Sequence, residues 1–277
     1  MRGGRLTGNR LSFAALCAIL LVVTAALLAP WVAPYDPDAT DADATLSSVS
    51  LRHPLGTDIY GRDQLSRLIH AGRIDLLVAL SATAIALTLG AALGALAGYR
   101  GGWIDQVAMR AVDAVMAFPA FILAMAITAA LGNSTTNVVA AIAITHVPIY
   151  TRLIRGEMLR VRETEYAEAA RTVGNRHHHI VLVHLFPNCV PPLIVQATLA
   201  MGFAILTVAA LSFIGLGIQP PQSEWGQMTA EGAGYVVSGE WWLVLFPGLA
   251  IMVTVLAFNL VGDTLRDVLD PRMRGVR

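Results

Sequence analysis

A polar, helix-favouring interval separates two long apolar runs in the second half of the chain: Tyr166-Ala-Glu168-Ala169-Ala170-Arg-Thr-Val-Gly174, with Pro187 thirteen residues later. These residue types suit contact rather than bond-making. Ala169 and Ala170 combine high helix propensity with no bulk, so a short helix here could enter a groove of another protein. Gly174 can take the positive φ that ends a helix sharply. Glu157, Glu163, Glu165 and Glu168 interleave with Arg155, Arg160, Arg162 and Arg171, which makes a charged surface suited to a protein partner in water. Taken alone, the segment fits an ordinary solvated loop equally well.

Three other constellations could carry chemistry. His177, His178 and His179 invite a metal, but consecutive helical residues point about 100° apart and cannot converge on one ion without a second element. Ser134 near a span end and His146 in the next span could imitate the serine/histidine pair of an intramembrane protease. Twelve helical residues would hold them ~18 Å apart along the axis, which argues against activation. His146, beside Pro148, reads as a packed, hydrogen-bonded residue facing a bundle interior or cavity. All 19 basic residues are Arg. With no Lys, the chain cannot build the lysine-bearing phosphate loop of an ATPase, so neither a catalytic nor a cofactor site is expected on it. Formal net charge is zero, which gives no nucleic-acid footprint. Cys17 and Cys189 fall in or beside apolar runs and read as small packing residues.

The elements that must position these groups are membrane helices. Of 277 residues 56% are hydrophobic and 14% charged, and apolar runs recur near the length a bilayer demands. Six spans are expected: Leu11–Ala33, Leu76–Tyr99, Val115–Leu131, Val138–Ile154, Val190–Leu216 and Trp241–Val261. The first is longer than a signal-peptide core and is expected to be retained. Pro191 and Pro192 are expected to open the fifth span, where a missing amide donor does least harm. Gly90, Gly94 and Gly98 mark one close-packing stripe of the second. A cytoplasmic N-terminus places fifteen arginines inside and only Arg52, Arg62, Arg67 and Arg73 outside. The expected organisation is therefore a cytoplasmic stretch 1–10, a span 11–33, an external segment 34–75, a five-helix unit 76–261 holding the cytoplasmic loop 156–187, and a cytoplasmic end 262–277. Most of the seven aspartates of the external segment should be solvated, and Trp225, Trp241 and Trp242 should act as interfacial anchors. Gln196, Thr198 and Asn259 are candidates for lining a path, with interhelical hydrogen bonding as the competing role.

Four stretches resemble the peptide/nickel branch of ABC-importer permeases, specifically its second, "C"-type subunit. They are His53-Pro-Leu-Gly56-Thr-Asp58-Ile-Tyr-Gly61-Arg62-Asp63-Gln-Leu-Ser66-Arg67; the Glu168 interval running on to His184-Leu-Phe-Pro187-Asn188; Leu211-Ser-Phe-Ile-Gly215-Leu-Gly217 through Pro220-Pro221 to Glu224-Trp225-Gly226; and Asn259-Leu-Val-Gly262-Asp263-Thr-Leu-Arg266-Asp267-Val-Leu-Asp270-Pro271-Arg272. They occur in the family's order and span most of the chain. One departure is the pair His184 and Phe186, where the wider importer pattern favours Ile and Leu. The resemblance implies an all-α, six-span type I importer fold with both termini cytoplasmic. It implies a coupling loop carried by Glu168, Ala169, Ala170, Gly174 and Pro187. It also implies a second homologous permease, two ATPase subunits that bind ATP and Mg, and an extracytoplasmic substrate-binding protein. Peptides are the implied cargo, with nickel, glutathione or another small solute as alternatives.

Overall fold

The computed structural model describes residues 10–269, and every regular element among them is helical. In order they are α1 (Arg10–Leu27), α2 (Ala29–Val32), a 3-10 turn (Ala42–Ala44), α3 (Gln64–Arg100), α4 (Gly102–Met116), α5 (Ala120–Leu131), α6 (Thr135–Val161), α7 (Glu165–Thr172), α8 (His177–His179), a π-helical stretch (Ile180–Leu185), α9 (Phe186–Phe213), α10 (Trp225–Ala233) and α11 (Trp242–Leu269). Five rods are long and apolar enough to cross a membrane: α1, α3, α6, α8 through α9, and α11. The bent pair α4–α5 makes a sixth when the two are taken together as one broken span. The expected terminal segments, including Arg2, Arg5 and the Asp270-Pro271-Arg272 end of the fourth stretch, lie outside the described residues.

Three elements differ from expectation, each for a physical reason. Helix α3 begins at Gln64, twelve residues ahead of Leu76, because Asp63 caps it by accepting the Ser66 N–H at 2.8 Å. The third span is broken by an 85° bend around Phe118 and Pro119. Pro119 has no N–H to donate and its ring disfavours helical backbone before it, so α4 ends and α5 restarts. The fifth rod begins at His177, so Pro191 and Pro192 lie inside α9 rather than opening it. The Phe186 N–H donates to Val181 O, five residues back, and this wider π turn leads the chain into Pro187. The Asn188 amide bonds the His184 carbonyl at 2.8 Å.

The main seam of the bundle is α3 against α6. A Cβ at Gly90 would stand 2.5 Å from Tyr150 Cβ, and one at Gly98 would stand 2.8 Å from Met158 Cβ and Arg155 O. The glycine stripe is therefore a close-packing seam within this subunit. Without a hydrophobic drive inside lipid, that backbone approach and the dispersion it gains hold the pair together.

The segment 34–75, expected to be external, folds onto the adjoining ends of α3, α10 and α11 through buried polar groups. Asp58 accepts from Arg62 Nε at 2.6 Å, from Arg67 Nη1, and from the N–H groups of Tyr60 and Arg62. Arg67, only 1% exposed, also reaches Glu231 at 2.9 Å. His53 Nδ1 meets Asp63 Oδ1 at 2.9 Å. Three of the seven aspartates, Asp58, Asp63 and Asp75, are thus buried, while those on the loop face outward or partly so. The tryptophans need correcting too. Trp225 and Trp242 are buried struts whose indole N–H groups donate to Leu68 O (3.0 Å) and Thr57 O (3.2 Å), and of these three Trp241 alone is exposed as an anchor would be. Gly56, at φ +77°, makes room for the Trp242 ring, 2.6 Å from where its Cβ would stand.

Candidate coupling site

Helix α7 carries the polar interval. Glu165 and Glu168 lie in its first turn and Arg171 in its last, the arrangement its dipole favours. The end is a Schellman turn: Asn175 N–H donates to Ala170 O (3.3 Å) and Gly174 N–H to Arg171 O (2.9 Å). Gly174 has φ +83° and nothing within 4 Å of a would-be Cβ, so the turn needs glycine for backbone conformation alone.

The helix has two faces. Ala167 and Ala170 turn inward, toward a cluster with Met158, Val161, Ile180 and Leu185. Glu168, Ala169 and Tyr166 point outward, and Val173 is 81% exposed. Of the alanine pair, only Ala169 belongs to the outer face; Ala170 serves the subunit's own packing. Pro187 is exposed at the start of α9, on the same continuous rod that α7 leads into.

Residues that the sequence offered only as a charged surface or a histidine run, together with Tyr99, tie this region to the bundle. Arg162 Nη1 donates to Gly98 O at 2.7 Å, and Arg171 Nη2 donates to Arg162 O at 3.1 Å. Tyr99 Oη and His177 Nδ1 are 2.7 Å apart, joining the end of α3 to the start of the fifth rod. Arg155 and Arg152 hold α4 through Asp105 and Asp113. The available signal was the charge run 155–171, which showed a polar surface without showing which arginines turn inward. The histidines do not converge: His177 goes to Tyr99, while His179 lies edge-on to His184 at 5.4 Å between centroids.

The Ser134/His146 pair is not brought together. Ser134 caps α6 by accepting the Asn137 N–H at 3.2 Å. His146 Nδ1 donates to Ile142 O at 2.8 Å, twelve residues further along the same helix. The path candidates separate as well. Asn259 lines a groove of about 710 Å³ between α5, α9, α10 and α11, opposite Gly202. Thr198 spends its hydroxyl on Ile194 O at 2.9 Å, and Gln196 is half-buried on α9 outside that groove.

Comparison with known proteins matches residues 90–275 to the family described as binding-protein-dependent transport system inner membrane component. Residues 4–52 match the N-terminal transmembrane domain of oligopeptide transport permease C. The chain is 46% identical to the di/tripeptide transport system permease protein of Pseudomonas aeruginosa (strain UCBPP-PA14), over 96% of this chain and 89% of the relative. It is 43% identical to the dipeptide transport system permease protein of Alkalihalophilus pseudofirmus, over 98% and 88%. It is 41% identical to the glutathione transport system permease protein of Escherichia coli O1:K1 / APEC, over 95% and 86%. The Glu168 interval and the long α6, α9 and α11 rods all fall within the larger match. The chain therefore belongs to the binding-protein-dependent transport system inner membrane component family, as a C-type, multi-pass permease subunit of an ABC importer in the bacterial inner membrane.

Proposed function

We propose that this chain is one of two homologous permease subunits of a di- or oligopeptide importer. Two ATPase subunits, holding ATP and Mg, drive it, and an extracytoplasmic binding protein feeds it. Both termini and the 156–187 loop face the cytoplasm, in keeping with the arginine asymmetry. The outer face of α7, with Glu168 and Ala169 at its centre, seats in a groove of one ATPase. When the ATPases close on ATP, α7 is carried with them. Its inward alanines, the Arg162–Gly98 bond and the Tyr99–His177 bond pass that displacement to α3 and to the fifth rod. The six-span halves then rock, and a central path opens alternately outward and inward, with Asn259 on its wall. The chain supplies a path and a lever and performs no bond-making step.

The observation that carries this reading is the two-faced geometry of α7: a short helix ended by a Schellman turn, exposed on one side and packed on the other, through Ala167 and Ala170, against residues of α6 and the fifth rod. Cargo is tested in a strain lacking this chain. Loss of di- and tripeptide uptake with normal glutathione and nickel uptake is expected. Normal peptide uptake with loss of either other solute would move the assignment to that solute.

A further inference from the structure

The outer half of α3 carries an arginine whose surroundings none of the transport machinery explains. Of the four external arginines, Arg62 and Arg67 are buried in ion pairs and Arg52 lies 3.8 Å from Asp41. Arg73 has neither ion pair nor hydrogen bond among the described residues. Its neighbour Gly72 packs beside the first span, 3.8 Å from Ala26 Cβ to where its own Cβ would stand. Arg73 is therefore level with the apolar end of α1. An unpaired charge at that depth is costly unless it snorkels to a counter-ion.

Arg73 borders a pocket of about 390 Å³, walled by α3, the start of α6, the turn before α10 and the external segment. The pocket wall offers both donors and acceptors. Arg73 and the Gln222 amide are donors, the latter because Gln222 Oε1 already faces the Thr135 hydroxyl at 3.4 Å. Asp38, on the same wall, has a carboxylate with no ion pair among the described residues. His70 commits Nδ1–H to Ser66 O at 2.9 Å, which leaves Nε2 as the acceptor of the neutral ring. A ligand that satisfies both sets carries an anion and a hydrogen-bonding cation a few bonds apart.

Two chemistries have that pattern, a peptide and a phospholipid headgroup, and the helix below the pocket separates them. Leu77, Leu80 and Ala84 follow Arg73 on one face of α3, and all are exposed. On the same face Thr88 spends its hydroxyl on Ala84 O at 2.7 Å. A face that is exposed and apolar for several turns below the charge suits an acyl chain and offers a peptide backbone no hydrogen bonds.

We propose that this pocket binds the headgroup of a zwitterionic phospholipid bearing a primary ammonium. Arg73 and Gln222 take the phosphate, Asp38 and His70 the ammonium, and an acyl chain lies along Leu77 and Leu80. A trimethylated ammonium has no N–H for His70 or Asp38, so the site prefers the ethanolamine to the choline headgroup. The ligand pins the external segment to α3 at the outer leaflet.

Native mass spectrometry of the full-length chain in mild detergent tests this, using an equimolar mixture of ethanolamine, choline and glycerol phospholipids with identical chains. The ethanolamine lipid should be retained several-fold over the others. Arg73→Gln should lose it while keeping the parental unfolding midpoint in lipid-free detergent, and Asp38→Asn should bind ethanolamine and choline lipids equally. Soluble phosphoethanolamine at equal concentration should not displace the lipid. Equal retention by parent and Arg73→Gln would overturn the proposal. Displacement by phosphoethanolamine would assign the pocket to a free phosphate ester instead, and displacement by a dipeptide would assign it to cargo; either result also removes the lipid.

Discussion

Gly174 shows how a single residue can be required without a single contact. Its φ of +83° puts a side chain in a region that costs an L-residue roughly 1–2 kcal/mol, and a β-branched residue more. Asn tolerates this conformation better than Val, so transport should fall in the order Gly174, Gly174→Asn, Gly174→Val, with membrane levels unchanged. Equal transport by all three would show that the turn plays no part in coupling. The buried outer charges set a different demand. Removing Arg67 leaves Arg62 as the one cation pairing both Asp58 and Glu231, in a site where Arg67 is 1% exposed. Arg67→Met should cost about 3–5 kcal/mol, as breaking a buried pair does. It should be seen as a lowered unfolding midpoint in detergent, and the double change with Glu231→Gln, which leaves Asp58 and Arg62 as a balanced pair, should recover part of the loss. Little of this network was legible in the sequence. The spacing of Asp58, Arg62 and Arg67 resembled a family pattern, but whether an aspartate or tryptophan faces water or the interior depends on segments more than a hundred residues away, such as α10. Trp225 and Trp242 looked like anchors for the same reason: an indole beside an apolar run has the same local signature whether its N–H meets headgroups or the carbonyl of Leu68.

Helices were legible to the extent that their pattern is local. Apolar runs located the five long rods and the second half of the bent α4–α5 pair, and the four-residue glycine repeat located the α3–α6 seam. Gly94→Ile should therefore abolish the folded protein, because a would-be Cβ there already meets Thr151 and Ile154. Gly248→Ala, whose Cβ would meet nothing within 4 Å, should leave the stability within about 0.5 kcal/mol of the parent. Similar midpoints for both variants would deny the seam. What the runs could not supply was where helices stop and bend. A proline can open a helix, as Pro191 and Pro192 were expected to do, or sit inside one once the chain has relaxed its hydrogen bonding, as the π turn before Pro187 does. Pro119 takes the third course and breaks its span by 85°. The outcome depends on what packs around each proline, which periodicity does not encode.

At the scale of the whole molecule, long rods join two polar ends. One end is α7, packed against α6 and the fifth rod, and the other is segment 34–75, locked by buried charges onto α10. In the proposed lever the rods between them transmit displacement, and α3 touches both ends through Tyr99 and Arg67. A weakened inner link should leave assembly intact but loosen the transmission. Tyr99→Phe removes only the hydroxyl that meets His177, so it should lower transport per ATP hydrolysed while substrate binding by the external protein stays unchanged. An unaltered ratio would show that the bond does not transmit motion. The claim that α7 is the element gripped by the ATPase is tested most directly by site-specific cross-linking in the assembled complex, on a background lacking Cys17 and Cys189. Ala169→Cys, on the outer face, should cross-link to the ATPase in high yield, and Ala167→Cys, buried at 0% exposure two residues away, should not. Cross-linking from neither position, or from Ala167→Cys alone, would contradict the account.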